Sequence, residues 1–414
     1  MKFLNKLLWA TAALAVSATS TFAAETLGPV TDEIGVVKIR KGAPLFIGGY
    51  WTLSGPDVGL GLDQKRGVEL AFDEWDNMVA GHKIRLLAED SQCNAEGGQT
   101  ATTKLASNRN IVAVVGPDCS SSATPGAPIL WKAGMVNIGT STTAPALTAP
   151  DRKPGYHGYL RTIYNDLAQG AADAKYFREE LQCDTLVTIH DGSPYAEQLV
   201  RVAEREFEAL GGKVVATEAV TPTDVDMRPM LTGIATHKPC VIYFPIFVAA
   251  TAQIVRQAGE IDGLENTNLI AGPGGMTGGF LEAAGESALG LRMTAADVGE
   301  AAFAGTYGAV LARYKEKYGE NPPQAYHAHA YDAGQILLKA IDQVAVTDDK
   351  GDTYIGRMAL RDALFATKGH AGISGPIECD SNGDCGGFAF AVFQITDTNP
   401  DTFEIGTNPK KIYP

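Results

Sequence analysis

Between Pro44 and Ala271, short β-branched and aromatic runs alternate with segments whose apolar positions recur at helical spacing. Leu45 to Trp51 reads as a strand. Asp63 to Met78, with Val68, Leu70, Ala71, Phe72 and Trp75 on one face, reads as a helix, and Lys83 to Ala88 as the next strand. The series continues with a helix from Gln99 to Ser107, a strand from Ile111 to Val115, a helix after Ser120 and a strand from Met135 to Ile138. This order predicts a mainly parallel sheet covered by helices on both faces. After Arg161 it restarts, with helices at Leu167 to Leu181 and Tyr195 to Leu210 and strands at Thr185 to His190, Lys213 to Ala219, Val241 to Phe244 and Asn268 to Ala271. Beyond Met293 the pattern turns helical, with Gly305 to Tyr318, Ala325 to Val344 and Arg357 to Phe365, before a last strand from Phe388 to Ile395.

The expected fold class is therefore α/β, with two doubly wound, Rossmann-like lobes. Helix-rich material returns late and no low-complexity linker separates the halves, so the chain is expected to cross between lobes several times through a multi-strand hinge. The expected first lobe takes residues 36–160 and 294–382, and the second takes 161–293 and 383–414.

The first 24 residues do not fit this pattern. Lys2 and Lys6, an apolar stretch from Leu7 to Val16 and small residues up to Ala24 have the three parts of a secretory signal peptide, with cleavage expected after Ala23 or Ala24. Export to the periplasm follows, without membrane insertion, because no later stretch approaches the roughly 20 apolar residues that a spanning helix needs. Loss of two lysines takes the formal charge from −14 to −16, since −14 − 2 = −16. So acidic a chain is not expected to bind nucleic acid.

Six cysteines in an exported chain invite pairing, although sequence alone leaves connectivity open. Cys379 and Cys385 flank a turn containing Asn382-Gly383. Cys183 and Cys240 each precede a strand, so parallel neighbouring strands would bring them together. Cys93 and Cys119 follow two other strands. Buried free thiols are the alternative for each pair.

In such sheets ligands bind beyond the carboxyl ends of the strands. There the chain places Gly116-Pro117-Asp118-Cys119-Ser120-Ser121-Ser122, Gly139-Thr140-Ser141-Thr142-Thr143, His190-Asp191-Gly192-Ser193-Pro194-Tyr195 and Gly272-Pro273-Gly274-Gly275. A helix that starts with hydroxyl residues offers amides and a positive dipole end to a carboxylate, although any one such loop is ordinarily a helix cap.

Taken together, Ser54-Gly55-Pro56, Asp63 to Leu70, Glu89 to Cys93, Cys119 to Ser122, Thr143 to Thr148, Arg161-Thr162, His190 to Tyr195 and Gln253 to Ala258 resemble the leucine/isoleucine/valine-binding proteins of ABC importers, within the type I periplasmic binding fold. The resemblance implies a monomeric, non-enzymatic solute-binding protein without cofactor, which clamps a small carboxylate, an amino acid, and delivers it to permease subunits. It assigns the ligand carboxylate to Ser120 and Thr143, the ligand ammonium to the backbone carbonyl of Ser141, and aromatic walls to Tyr195 and Phe247. It also implies a Cys93–Cys119 disulfide. The family places a glutamate where this chain has Gly274. Either another acid takes over, Asp191 first, or the ligand is an aromatic or aliphatic acid without an amine, against which Trp51 is a further wall candidate. A sensory module of the same fold is the other functional expectation.

Other signals point to no chemistry. His327 and His329 are two apart on a helix and cannot share a metal, so they read as helix surface and packing. Asp380, Asn382 and Asp384 imitate a calcium loop, but Cys385 stands where glycine is required. No G-x-S-x-G, phosphate-loop or H-E-x-x-H motif occurs.

Overall fold

A computed structural model describes residues 24–297 and 306–414. The expected leader, apart from Ala24, lies outside the described residues. Two sheets organise the rest. The first runs in the order Met78–Val79, His82–Asp90, Leu45–Trp51, Ile111–Val115, Asn137–Gly139 and Tyr159–Arg161, parallel except for its first edge pair. The second runs Lys213–Ala219, Thr185–His190, Val241–Phe244, Asn268–Ala271, Arg292–Ala296, Phe390–Gln394 and Lys410–Tyr413. Its first five strands are parallel, and Phe390–Gln394 runs antiparallel to both of its neighbours, Arg292–Ala296 and Lys410–Tyr413. Central strands such as Ile111–Val115 and Val241–Phe244 are buried at every residue, because helices cover both faces.

Each sheet has its own apolar core. In the first, the helices Val58–Glu74 and His327–Val344 pack face to face, and a Cβ at Gly67 would lie 2.3 Å from the His327 carbonyl oxygen. Backbones this close require glycine. The late helices thus complete the first core, while Phe390–Gln394 and Lys410–Tyr413 complete the second sheet. Arg292–Ala296 also lies wholly in the second sheet, so residues 294–296, expected in the first lobe, pair in the second. The periodicity of Arg292 to Ala296 gave no warning of a strand, since a short central strand without polar alternation resembles the helical material after it.

The disulfides are Cys93–Cys119, Cys183–Cys240 and Cys379–Cys385. Cys93–Cys119 ties the turn after His82–Asp90 to the N-cap of the helix Ser120–Lys132. His327 and His329 are interior residues, 2% and 5% exposed, and not helix surface. His327 Nδ1 lies 3.0 Å from Asp63 Oδ1 and its Nε2 3.0 Å from the Tyr307 hydroxyl. Burial pushes His329 down to about 4, so it is neutral at pH 7. The helix that carries both is buried nearly all round, which a surface pattern would not permit.

Candidate functional site

The carboxyl ends of both sheets face one another across a small cavity, lined by Leu60, Asp118, Cys119, Ser120, Ser141 and Thr143 from the first lobe, by Tyr164, Tyr195, Phe247, Pro273 and Gly274 from the second, and by Tyr326. Ser120 opens the helix Ser120–Lys132, whose N-cap, Cys119, provides no side-chain cap. Its first amides therefore keep their capacity for an anion. The Ser120 hydroxyl accepts from the Ala144 amide at 3.3 Å, which joins this helix start to the neighbouring Ser141–Thr143 loop. Ser141 fixes that loop through its own hydroxyl, which donates to the Asp118 carbonyl at 2.7 Å. The Asp118 carboxylate is already occupied, accepting from the amides of Thr52 and Cys119.

The second lobe brings aromatic rings. Tyr195 sits in the first turn of the helix Pro194–Ala209 and Phe247 at the N-cap of the helix Val248–Ala258, with ring centroids 5.7 Å apart. Gly274 sits in tight surroundings. A Cβ there would lie 3.2 Å from both the Ile246 carbonyl oxygen and Phe247 Cδ1, so a side chain at this position would need these neighbours to shift by a few tenths of an ångström.

Two expected residues lie elsewhere. Trp51 does not reach the cavity: it is fully buried in the first core, folded against Gly49 and Gly116, with its indole N–H directed to Thr140 Oγ1 at 3.4 Å. It ends its strand pointing into the sheet's own packing layer, a choice of face that one residue of register decides. Asp191 is not among the cavity-lining residues either. Its carboxylate accepts from the Ser193 amide at 2.9 Å and organises the turn before the helix Pro194–Ala209.

An acid that sequence reasoning passed over is tied to the cavity through Thr143, a residue that lines it. Asp166 begins the helix Asp166–Lys175, is fully buried, and its amide donates to the Thr143 carbonyl at 3.0 Å. Neither of its carboxyl oxygens has a hydrogen bond of ordinary geometry, and the buried Tyr195 hydroxyl is equally without one. Burial pushes Asp166 up to about 7, with the Thr143 hydroxyl and Arg161 opposing and Asp173 reinforcing the shift. Its field in turn acts on Tyr164, Tyr195 and Tyr326, all of which line the cavity. Buried polar atoms left unsatisfied cost about 1–3 kcal/mol each, which marks this cluster as a place for a ligand's donors.

Residues 44–399 match the periplasmic binding protein family. The chain belongs to that family. Among similar proteins, the Leu/Ile/Val-binding protein of Escherichia coli is 28% identical over 345 residues, covering 83% of this chain and 88% of that one. A leucine-binding protein from Thermotoga maritima superposes with a TM-score of 0.76 at 24% identity, over 86% of this chain and 96% of that one. A solute-binding protein of an ABC transporter from Rhodopseudomonas palustris, solved with benzoate, gives a TM-score of 0.73 at 20% identity, over 89% and 96% of the two chains. The family places the two-sheet clamp of this periplasmic binding protein among solute carriers, and no helix of the described residues is long and apolar enough to cross a membrane.

Proposed function

We propose that this periplasmic binding protein is an exported, monomeric carrier that closes its two lobes on a small amino acid of the branched-chain type and presents it to the permease of an ABC importer. The observation that carries this reading is the polarity of the cavity. A helix start with Ser120 and Thr143, suited to a carboxylate, lies near a buried carboxyl group, Asp166, whose oxygens have no hydrogen bond of ordinary geometry. An α-amino acid matches both ends. Its carboxylate takes the Ser120 and Thr143 hydroxyls and the first helix amides, and its ammonium takes Asp166 and the Ser141 carbonyl. Tyr195, Phe247, Tyr326 and Leu60 then surround the side chain. On this reading Asp166, and not Asp191, does the work of the glutamate that Gly274 cannot supply. Ligand contacts from both lobes bias the hinge toward the closed form, and no bond of the ligand is made or broken.

Asp166 gives this reading a distinctive pH dependence. Its carboxyl group is raised in the ligand-free protein, so near pH 6 it is mostly protonated, and an ammonium partner must displace that proton. Leucine binding is therefore expected to release up to one proton near pH 6, and to tighten roughly tenfold from pH 6 to pH 8. Isothermal titration in buffers of different ionisation enthalpy reads the proton count directly. Asp166→Asn should abolish both the release and the tightening toward pH 8 and weaken leucine binding by at least about tenfold. Equal proton release in wild type and variant would remove Asp166 from the site.

A second reading rests on the aromatic walls and on Gly274. An aromatic acid without an amine would fill the same space, and the similar Rhodopseudomonas palustris protein was solved in complex with benzoate. A thermal-shift panel of leucine, isoleucine, 2-ketoisocaproate and benzoate separates the two. Stabilisation by amino acids and not by their keto analogues supports the amine-dependent site, and the reverse order selects the second reading.

A further inference from the structure

Asp57 ends the loop Ser54-Gly55-Pro56 and stands at the N-cap of the helix Val58–Glu74. Aspartate at an N-cap ordinarily accepts from an amide of its own first turn. Here it makes no such bond. Its Oδ1 instead faces the opposite lobe, 3.4 Å from the amide of Val248, the first residue of the helix Val248–Ala258. That helix has Phe247 as its N-cap, which supplies no acceptor, and no acid in its first turn. A first-lobe carboxylate thus fills a place that the second-lobe helix leaves open in its own sequence. The contact is one that lobe separation must break.

We propose that Asp57 is a closure residue of the clamp, which caps the second-lobe helix from across the cleft and, facing Asp118 of its own lobe and Asp191 of the other, makes closure take up a proton. The proposal rests on the two-lobe carrier reading but not on which acid is carried. The charged groups acting on Asp57 are Asp118, in the loop before the helix Ser120–Lys132, and Asp191, in the loop before the helix Pro194–Ala209. The helix Val248–Ala258 adds its amide and the positive end of its dipole. In the closed arrangement burial, reinforced by Asp118 and Asp191 and opposed by the Val248 amide, pushes Asp57 up to about 6. An open cleft returns the group to water and to the ordinary carboxylate range. The closed form therefore holds the proton more tightly, and closure strengthens as pH falls from 7.5 toward 5. This sign is opposite to that of Asp166, so the two effects separate.

The test compares the full exported chain with Asp57→Asn, which keeps an acceptor oxygen and removes the charge, by calorimetric titration with L-leucine at pH 7.5 and pH 5. The ratio of the wild-type Kd to the variant Kd cancels contributions from other titrating groups. It is expected to fall roughly tenfold between the two pH values. Asp57→Ala, which also loses the cap, should bind more weakly than Asp57→Asn at both. A Kd ratio independent of pH overturns the proposal. If leucine gives no heat with wild type, the amino-acid reading has failed, and the same ratio measured with benzoate decides this one. If neither compound binds, X-ray scattering of the ligand-free proteins decides: compaction at pH 5 in wild type but not in Asp57→Asn supports the proposal, and equal behaviour overturns it.

Discussion

Leucine affinity is expected to fall by at least about 100-fold when Ser120 and Thr143 are both replaced by alanine, while the ligand-free protein melts within a few degrees of wild type. Both hydroxyls line the cavity, beside a helix start that has no side-chain cap. Hydrogen bonds to a charged group contribute about 1.5–3 kcal/mol each, so two of them amount to at least two decades in Kd. The fold loses less. Within the protein, the Ser120 hydroxyl accepts one bond of 3.3 Å from the Ala144 amide, and the backbone bond from the Asp166 amide to the Thr143 carbonyl survives the substitution. Ser141→Ala is the internal control. Its hydroxyl donates to the Asp118 carbonyl, while its proposed ligand contact uses the backbone, so affinity should change by only a few fold. Retained leucine binding in the double variant, measured by calorimetry, would mean that the ligand lies elsewhere.

The residues that sequence reading and the structure both bring to the cavity share one property: their placement is local. Ser120 follows a fully buried strand and starts a helix, and that strand-to-helix turn alone places its hydroxyl at the sheet's carboxyl end. Tyr195, one residue inside the helix Pro194–Ala209, is placed the same way. Asp166 escaped because an acid in the first turn of a helix already has an ordinary explanation in the helix dipole, and Asn165 before it is a normal cap. Only the burial of that helix start against Thr143 and the tyrosines removes the ordinary explanation. Trp51 failed for the opposite reason, because alternation along a strand cannot tell a residue at its end which layer it will enter. Gly274 required tertiary knowledge as well: the ring that crowds it comes from Phe247, on another connection of the sheet. The calcium-like run before Cys385 was read correctly as a turn, yet its Asp384 carries a structural task that no motif suggests.

That task leads to the largest expected loss of stability. Arg161 is fully buried where the chain leaves the first sheet, and its guanidinium is satisfied on several sides. Nε donates to Asp384 Oδ1 at 2.5 Å, Nη1 to the carbonyls of Thr142 and Ala144 at 2.9 and 3.0 Å, and Nη2 to Thr148 Oγ1 at 2.5 Å. Asp384 also accepts from Thr148 and Asn165, and the Arg161 backbone pairs with Gly383 and Cys385. One side chain thus joins the loop holding Thr143, the start of the Asp166 helix and the turn closed by the Cys379–Cys385 disulfide. Arg161→Met leaves two buried carbonyls and a carboxylate without their donor. Breaking such a buried pair costs about 3–5 kcal/mol, which in a chain of this length should lower Tm by about 5 °C in calorimetry. Lysine cannot replace the planar fork, so Arg161→Lys should recover only part of the loss. Asp384→Asn combined with Arg161→Met should cost clearly less than the sum of the two single changes, because the second substitution removes the charge that the first strands. Strict additivity would show that Arg161 and Asp384 act independently. Leucine binding should weaken in Arg161→Met even at temperatures where the chain remains folded, since Thr142 and Ala144, whose carbonyls the guanidinium holds, flank the residue proposed to bind the ligand carboxylate.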